Sequence, residues 1–190
     1  MIMYKTYSSE AIESMAENIN KVYKEKFQDK NDKALDIVGL VHTLGGRILE
    51  VPYVDIGVDS MSIDDWKMDE DNKKWEFVKF TVNVSKSASQ GRKNFTIAHE
   101  LGHLYLHFLK WEYESTREKS FKRLSYVAGG NKEREANMFA GALLMPRSEY
   151  KEIFEEYDGD FNKIANVFGV STVAAEVRAN VLMGQKGKNS

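Results

Sequence analysis

The sequence predicts an α+β domain in which a small mixed or antiparallel sheet packs on one long apolar helix, with several further helices around it. Three stretches support this prediction. Residues 8–27 repeat apolar side chains at helical spacing, residues 75–85 alternate apolar and polar side chains, and residues 94–109 are apolar nearly all round. A helix of the last kind belongs in a protein core, so we expect the rest of the chain to enclose it.

The length and composition are those of one ordinary globular domain, and they exclude several kinds of chemistry. The chain has 190 residues, 42% of them hydrophobic, with a net charge of −2 and no cysteine. Disulfides, thiolate metal sites and cysteine nucleophiles are therefore excluded, and the charge balance makes nucleic acid an unexpected partner. We recognise no signal peptide or membrane-spanning run, so we expect a cytoplasmic protein without membrane contact.

We divide this single domain into N-terminal helices and sheet (1–93), a core segment (94–146) and a C-terminal helical segment (147–190). Two helices are predicted in the first part, one over 8–27 capped by Ser8 or Ser9 and one over 33–44 ended by Gly45 and Gly46. A strand over 47–52, a solvated acidic loop over 53–74 and a half-buried strand over 75–85 follow. The loop prediction follows from its many carboxylates, which lack the spacing and the glycine of a calcium-binding loop.

The second half of the chain reads as helical. The predicted elements are a helix from about 94, capped by Asn94 or Thr96, a lid or wet-faced helix within 110–126, a helix over 131–144 capped by Asn131, and two or three helices over 148–157 and 160–183. Pro146 ends the third of these. We find no internal repeat and no linker between domains.

The apolar helix contains an HExxH pattern, His99-Glu100-Leu101-Gly102-His103. Residues four apart lie on one helix face, so His99 and His103 can both present an imidazole nitrogen to one cation. Glu100 would then lie beside the ion, where a general base for metal-activated water is needed. The alternative is a buried helix with two structural histidines. A shared metal is favoured because it supplies both buried imidazoles with a partner at once.

Two histidines do not hold a catalytic zinc ion, which needs a third protein ligand and one open position. His42 is interpreted as structural, since it is a lone histidine on an apolar helix. His107 lies a further turn along the HExxH helix, about 5.4 Å away, which is too far to share one tetrahedral ion. We therefore interpret His107 as structural or as a support for the ligands.

The third ligand is predicted in the helix over 131–144. Glu133 extends the inward face that begins at Ala136 and lies in the first turn, where the helix dipole favours a carboxylate. Glu135 is predicted to be rotated off that face. Asn137, four residues after Glu133, is well placed to support a ligand by a hydrogen bond. The alternative is that both glutamates are ordinary charges at a helix start.

These two segments together resemble the ImmA/IrrE family of zinc metallopeptidases. The resemblance covers residues 94–146, from Asn94-Phe-Thr-Ile-Ala-His-Glu-Leu-Gly-His to Glu133-Arg-Glu-Ala-Asn-Met-Phe-Ala-Gly-Ala-Leu-Leu-Met-Pro146. It implies a zincin-like, more narrowly gluzincin-like, fold. It also implies His99, His103 and Glu133 as zinc ligands and Glu100 as the catalytic residue. The implied substrate is a helix-turn-helix transcriptional repressor of a phage or mobile element.

The predicted reaction is metal-assisted hydrolysis of a peptide bond, with one zinc ion, or with manganese since the same ligands admit it. The strand over 75–85 is predicted to pair with an extended substrate. A further residue is expected to stabilise the oxyanion of the reaction, and the sequence does not rank the four candidates, which are Tyr105, Tyr126, His107 and Arg134.

The alternative is a zincin scaffold that does not cleave but binds a partner protein or DNA through its C-terminal helices. Residues 161–178 resemble a helix-turn-helix, with Gly169 at the turn and Ser171 opening the second helix. Arg178 is the only cation on that second helix, whereas DNA binding usually needs a basic surface. We therefore favour a structural helix pair or a surface that docks the regulator.

Overall fold

The structure is a computed structural model, and it describes residues 6–29, 31–52, 60–69, 71, 74–109 and 130–184. The predicted lid or helix within 110–126 lies outside these residues. The described elements, in chain order, are α1 (Ser9–Phe27), α2 (Ile37–Thr43), β1 (Gly46–Val51), β2 (Ser60–Asp69), β3 (Lys74–Ser85), α3 (Gln90–His103), a π-helical turn (Leu104–Phe108), α4 (Gly130–Leu144), α5 (Arg147–Glu156), α6 (Phe161–Phe168) and α7 (Thr172–Met183). The predicted α+β class is confirmed.

The three described strands form one mixed sheet in the order β1-β3-β2. β1 runs parallel to β3 and β2 runs antiparallel to it. The prediction of a solvated loop over 53–74 is therefore wrong for 60–69, which form the edge strand β2. Register shifts between Ile63 and Asp65 and between Lys67 and Met68 interrupt the alternation along β2, which is why its sequence does not read as a strand.

The central strand β3 is more buried than predicted. Phe80, Val82 and Val84 fill one face, but Thr81 on the opposite face is buried as well, with its hydroxyl bonded to Arg47 and Asp64. Both edges of β3 are paired over 80–83, with β1 on one side and β2 on the other. The prediction that this strand pairs with a substrate is thus wrong for that stretch, since no backbone group is left for it.

The N-terminal helices begin and end at capping residues. Ser8 caps α1 through Ala11 N–H, as predicted, and the Asn20 side chain donates to the Leu143 carbonyl at 2.7 Å, which ties α1 to α4. Asp36 caps α2, so that helix begins four residues later than predicted. His42 is exposed on α2.

The HExxH helix α3 begins earlier than predicted because Ser89, rather than Asn94 or Thr96, caps it. Asn94 instead donates its side-chain amide to the Gly169 carbonyl at 2.8 Å, which joins α3 to the turn between α6 and α7. Lys93 pairs with Glu50 at 2.7 Å and so fixes α3 to β1. These contacts hold the start of the helix between the sheet and the C-terminal helices.

Helices α3 and α4 approach closely at Gly102. A Cβ atom at this position would lie 3.0 Å from the Ala136 Cα and 3.1 Å from its carbonyl oxygen. Only a glycine lets the two backbones approach this closely without a shift. The close approach brings the first turn of α4 beside the two histidines of α3.

The C-terminal segment forms three helices, as predicted. Asp160 caps α6, Gly169 ends it with a φ of 64°, and Ser171 caps α7. Arg178 on α7 is buried, where it forms an ion pair with Glu13 and donates to the Met145 carbonyl at 2.9 Å. Within the residues described, none of the helices combines the length and the apolar character needed to cross a membrane.

Candidate metal centre

Three side chains from two helices converge on one point. His99 and His103 come from α3 and Glu133 from the first turn of α4, and one ligand atom from each lies within 4.8 Å of the others. The two Nε2 atoms are 3.0 Å apart. The Glu133 carboxylate lies 3.2 Å from Nε2 of His99 and 3.4 Å from Nε2 of His103. The structure therefore brings together the residues that the sequence singled out.

The spacing of these atoms fits a small tetrahedral cation. Ligand bonds of about 2.0–2.1 Å place tetrahedral ligand atoms about 3.3 Å apart. The two Nε2 atoms are 3.0 Å apart, and each lies near a different oxygen of Glu133, with Nε2 of His99 3.2 Å from Oε2 and Nε2 of His103 3.4 Å from Oε1. Two imidazole nitrogens and one carboxylate are also the donor set of many catalytic zinc sites. The residues present thus fit a single divalent ion in both geometry and chemistry.

Asn137, which the sequence predicts to support a metal ligand, contacts His99. The Asn137 Oδ1 lies 2.9 Å from Nδ1 of His99. An amide oxygen accepts, so Nδ1 of His99 donates its proton and the lone pair is left on Nε2. The imidazole is then oriented as a metal ligand requires.

His107 lies behind His103 rather than at the point of convergence. Its Nδ1 is 3.0 Å from Nδ1 of His103, and its Nε2 is 3.0 Å from the carboxylate of Glu135. The prediction that Glu135 is rotated off the inward face of α4 is wrong, because Glu135 is only 4% exposed. Helical periodicity does not predict this contact, because His107 lies on the π-helical turn.

The π-helical turn changes where His107 points. The Leu109 N–H bonds to the Leu104 carbonyl at 2.8 Å, five residues back instead of four. Each such turn holds one residue more than a regular turn, so later side chains are rotated about the helix axis. The end of this turn is fixed to the sheet, because Trp75 donates its indole N–H to the Leu109 carbonyl at 3.0 Å.

The surroundings keep the buried imidazoles neutral. Burial is the main cause that lowers the pKa of His103 to about 3, and the nearby imidazoles and Lys132 lower it further. Burial also lowers the pKa of His107, while its hydrogen bond to Glu135 acts in the opposite direction. A histidine binds a metal in its neutral form, so His103 is ready to do so at neutral pH.

The remaining predicted site residues differ in their positions. Glu100 is buried beside His99 on α3. Among the candidates for stabilising an oxyanion, Tyr105 stacks on Phe139, and burial raises its pKa to about 12, so it keeps its proton as a donor. Arg134 is exposed, and Tyr126 lies outside the described residues.

An α+β fold with this arrangement of two histidines and a glutamate defines a domain of the HExxH metal-site class. The chain belongs to the peptidase family described as the IrrE N-terminal-like domain, whose model matches residues 55–180. The resemblance to the ImmA/IrrE family is thereby confirmed. A comparison with curated proteins finds no significant match.

A solved structure shows the same fold. It is described as a Mycobacterium tuberculosis transcriptional regulator and matches with a TM-score of 0.57 and 17% sequence identity. The match covers 90% of this chain and 46% of that chain, so this chain spans less than half the length of that regulator. At this identity the likeness shows the fold alone.

Proposed function

We propose that this protein is a zinc-dependent metalloendopeptidase that hydrolyses a peptide bond in a protein substrate. The observation that carries the proposal is the convergence of His99, His103 and Glu133 at the spacing of one tetrahedral ion. Membership in a peptidase family supports the reaction type. Manganese is the alternative ion, since imidazole and carboxylate ligands also accept it.

Glu100 would be the group that moves the proton. When bound, a zinc ion polarises the scissile carbonyl and acidifies an attacking water molecule. The Glu100 carboxylate would accept the proton of that water and deliver it to the nitrogen of the leaving amine. Its place next to His99 on α3, in a buried setting, supports this role.

The proposed substrate is a helix-turn-helix transcriptional repressor of a phage or mobile element. The resemblance to the ImmA/IrrE family supports this substrate class. The similar fold of a Mycobacterium tuberculosis transcriptional regulator is consistent with a role in transcription control. The proposal therefore places the protein as a cytoplasmic regulator that acts by proteolysis.

Replacing Glu100 by glutamine tests this function directly. We expect Glu100→Gln to bind zinc as the unaltered protein does, because the three ligands remain, and to lose at least about 100-fold in cleavage rate, in line with the contribution of a general base. The measurement is cleavage of a purified helix-turn-helix repressor of a phage or mobile element, followed by mass spectrometry, with metal content determined in parallel.

His42→Gln is the matched control, because His42 is exposed on α2. It should cleave at the normal rate. Full cleavage by the Glu100→Gln protein would disprove the proposed mechanism. If that variant also retains its activity in the cell, the protein acts without proteolysis.

The non-cleaving alternative has one observation in its favour. Val173 and Val177 lie one turn apart on α7 and are 68% and 55% exposed, which leaves an apolar stripe that could dock a partner protein. The DNA-binding form of this alternative is not supported, because Arg178, the only cation of α7, is buried in an ion pair with Glu13. Substitution of Val173 and Val177 by polar residues would then weaken partner binding and leave peptide-bond cleavage unchanged.

A further inference from the structure

A buried histidine and a buried glutamate stand directly behind the candidate metal centre. The side chains of His107 and Glu135 are 7% and 5% exposed and lie 3.0 Å apart. A buried carboxylate is unfavourable unless its oxygens are hydrogen-bonded. One oxygen of Glu135 meets His107, and the other accepts the backbone N–H of Tyr7 at 3.1 Å. Both oxygens therefore act as acceptors.

The direction of the hydrogen bonds at His107 and His103 follows from the Glu135 carboxylate, which can only accept. Because the Glu135 carboxylate accepts, Nε2 of His107 must carry a proton and donate it. A neutral His107 then has its lone pair on Nδ1, which lies 3.0 Å from Nδ1 of His103. That nitrogen of His103 must be the donor, and the lone pair of His103 is left on Nε2.

We propose that Tyr7, Glu135 and His107 form a relay of hydrogen bonds that holds His103 in the tautomer with its proton on Nδ1. Nε2 of His103 then faces Nε2 of His99 and the Glu133 carboxylate with a free electron pair. In the other tautomer an N–H bond would point into this space and prevent metal binding. Glu135 and His107 are thus positioning residues, and the inference rests on the proposed function only in taking His103 as a metal ligand.

The two histidines of the centre are held in different ways. His99 is oriented by one amide oxygen, that of Asn137, which is exposed on α4. His103 is oriented by a buried chain that crosses from α4 through the π-helical turn. The N-terminal end of the relay is a backbone group of the segment that precedes α1, so this segment becomes part of the site.

The tautomer can be read in the metal-free protein by long-range proton–nitrogen NMR of the imidazole rings at pH 8. We expect His103 protonated on Nδ1 and His107 protonated on Nε2. Observation of His103 protonated on Nε2 in the folded, unaltered protein would overturn the proposal. This measurement needs neither a variant nor a bound ion.

A pair of variants then tests the role of Glu135. Glu135→Met removes the acceptor, so we expect loss of the Nδ1–H form of His103 and about 10–100-fold weaker zinc binding in a chelator competition, as is typical for such supports. Glu135→Gln keeps one acceptor oxygen, which can serve Nε2 of His107 but not the Tyr7 N–H as well, and should restore part of both properties. Glu149→Met, which removes a partly buried carboxylate on α5, is the matched control and should change neither.

The outcomes separate the relay from the proposed function. If Glu135→Met binds zinc normally and keeps the His103 tautomer, the relay is disproved while the peptidase proposal stands. If the unaltered protein shows the expected tautomers but binds no zinc, the peptidase proposal fails while the relay stands. Should Glu135→Met not fold, the tautomers of the unaltered protein and of Glu135→Gln decide the matter.

Discussion

His99 and His103 occupy unequal environments although they are four residues apart on one helix. The His99 side chain is 17% exposed and the His103 side chain 3%. Among the described residues, His99 is thus the more accessible of the two histidines and His103 the more enclosed. In the part of the chain that the structure describes, Asn137 orients this more accessible ligand, so its hydrogen bond has a consequence that can be measured.

We expect Asn137→Leu to bind zinc about 10-fold more weakly, because Nδ1 of His99 loses its acceptor and the ring is free to take either tautomer. Asn137→Asp is the matched variant, since it keeps an oxygen at the same place, and should bind at least as tightly as the unaltered protein. Competition with a chromophoric chelator measures both. Equal affinities for the two variants would show that the contact to His99 has no part in binding.

The histidines and Glu133 could be predicted from the sequence because their positions follow from local rules. Helical spacing places His99 and His103 on one face, and Glu133 continues the face of Ala136. The role of Glu135 could not be predicted in this way. Its contact to His107 depends on a π-helical turn, which no simple periodicity reveals.

At the scale of elements, the metal centre depends on how closely α3 and α4 pack. His99 and His103 lie on one of these helices and Glu133 on the other, so a change in their separation changes the distance between the ligands. Gly102 sets this separation, since a side chain there would meet the backbone of Ala136. The close packing of α3 against α4 therefore determines the distance between the two histidines and Glu133.

Substitution of Gly102 by alanine should weaken zinc binding and lower the free energy of unfolding. The added methyl group forces α4 away from α3, and such overpacking costs about 1–3 kcal/mol. Alanine also brings a gain of about 1 kcal/mol to a helix, so we expect a net loss of up to about 2 kcal/mol. Urea unfolding and zinc competition measure the two effects.

Gly141→Ala on α4 serves as the control for this helix gain. A Cβ atom there would lie 3.8 Å from the Arg178 Cδ, an ordinary contact, so the variant should be slightly more stable and bind zinc normally. If Gly102→Ala behaves like Gly141→Ala, the close approach is not needed for the site.

The sheet shows where pattern reasoning fails at the scale of elements. The alternation over 75–85 predicts β3 and the strand predicted over 47–52 corresponds to β1, but Thr81 and Ser85 on the second face of β3 are buried, which the alternation does not predict. The edge strand β2 was missed since its bulges break the alternation and its carboxylates resemble those of a loop. Pairing partners are a property of the fold, so residues 75–85 alone could not reveal them.

At the scale of the whole molecule, a buried ion pair joins the two ends of the described chain. Arg178 of α7 pairs with Glu13 of α1, and Arg147 at the start of α5 lies 3.3 Å from the same carboxylate. The sequence identifies Arg178 only as the one cation of its helix, because its pairing with a residue 165 positions away is not visible in a local pattern. The guanidinium group of Arg178 instead joins α7 to α1 through Glu13.

Breaking this ion pair should destabilise the fold. We expect Arg178→Met to lower the free energy of unfolding by about 3–5 kcal/mol, because the buried carboxylate of Glu13 loses its main partner. The double variant Glu13→Met/Arg178→Met should regain most of this loss, since no buried charge is left unpaired. Urea unfolding of the single and double variants measures the coupling, and a single variant as stable as the unaltered protein would contradict it.

The bond from the Tyr7 backbone to Glu135 has a practical consequence for anyone who handles this protein. Deleting the residues before α1, or fusing a purification tag directly to Ser8, would remove or displace the Tyr7 amide. Because the proposed relay begins at that amide, we expect such preparations to bind zinc more weakly than the unaltered protein even though His99, His103 and Glu133 are intact.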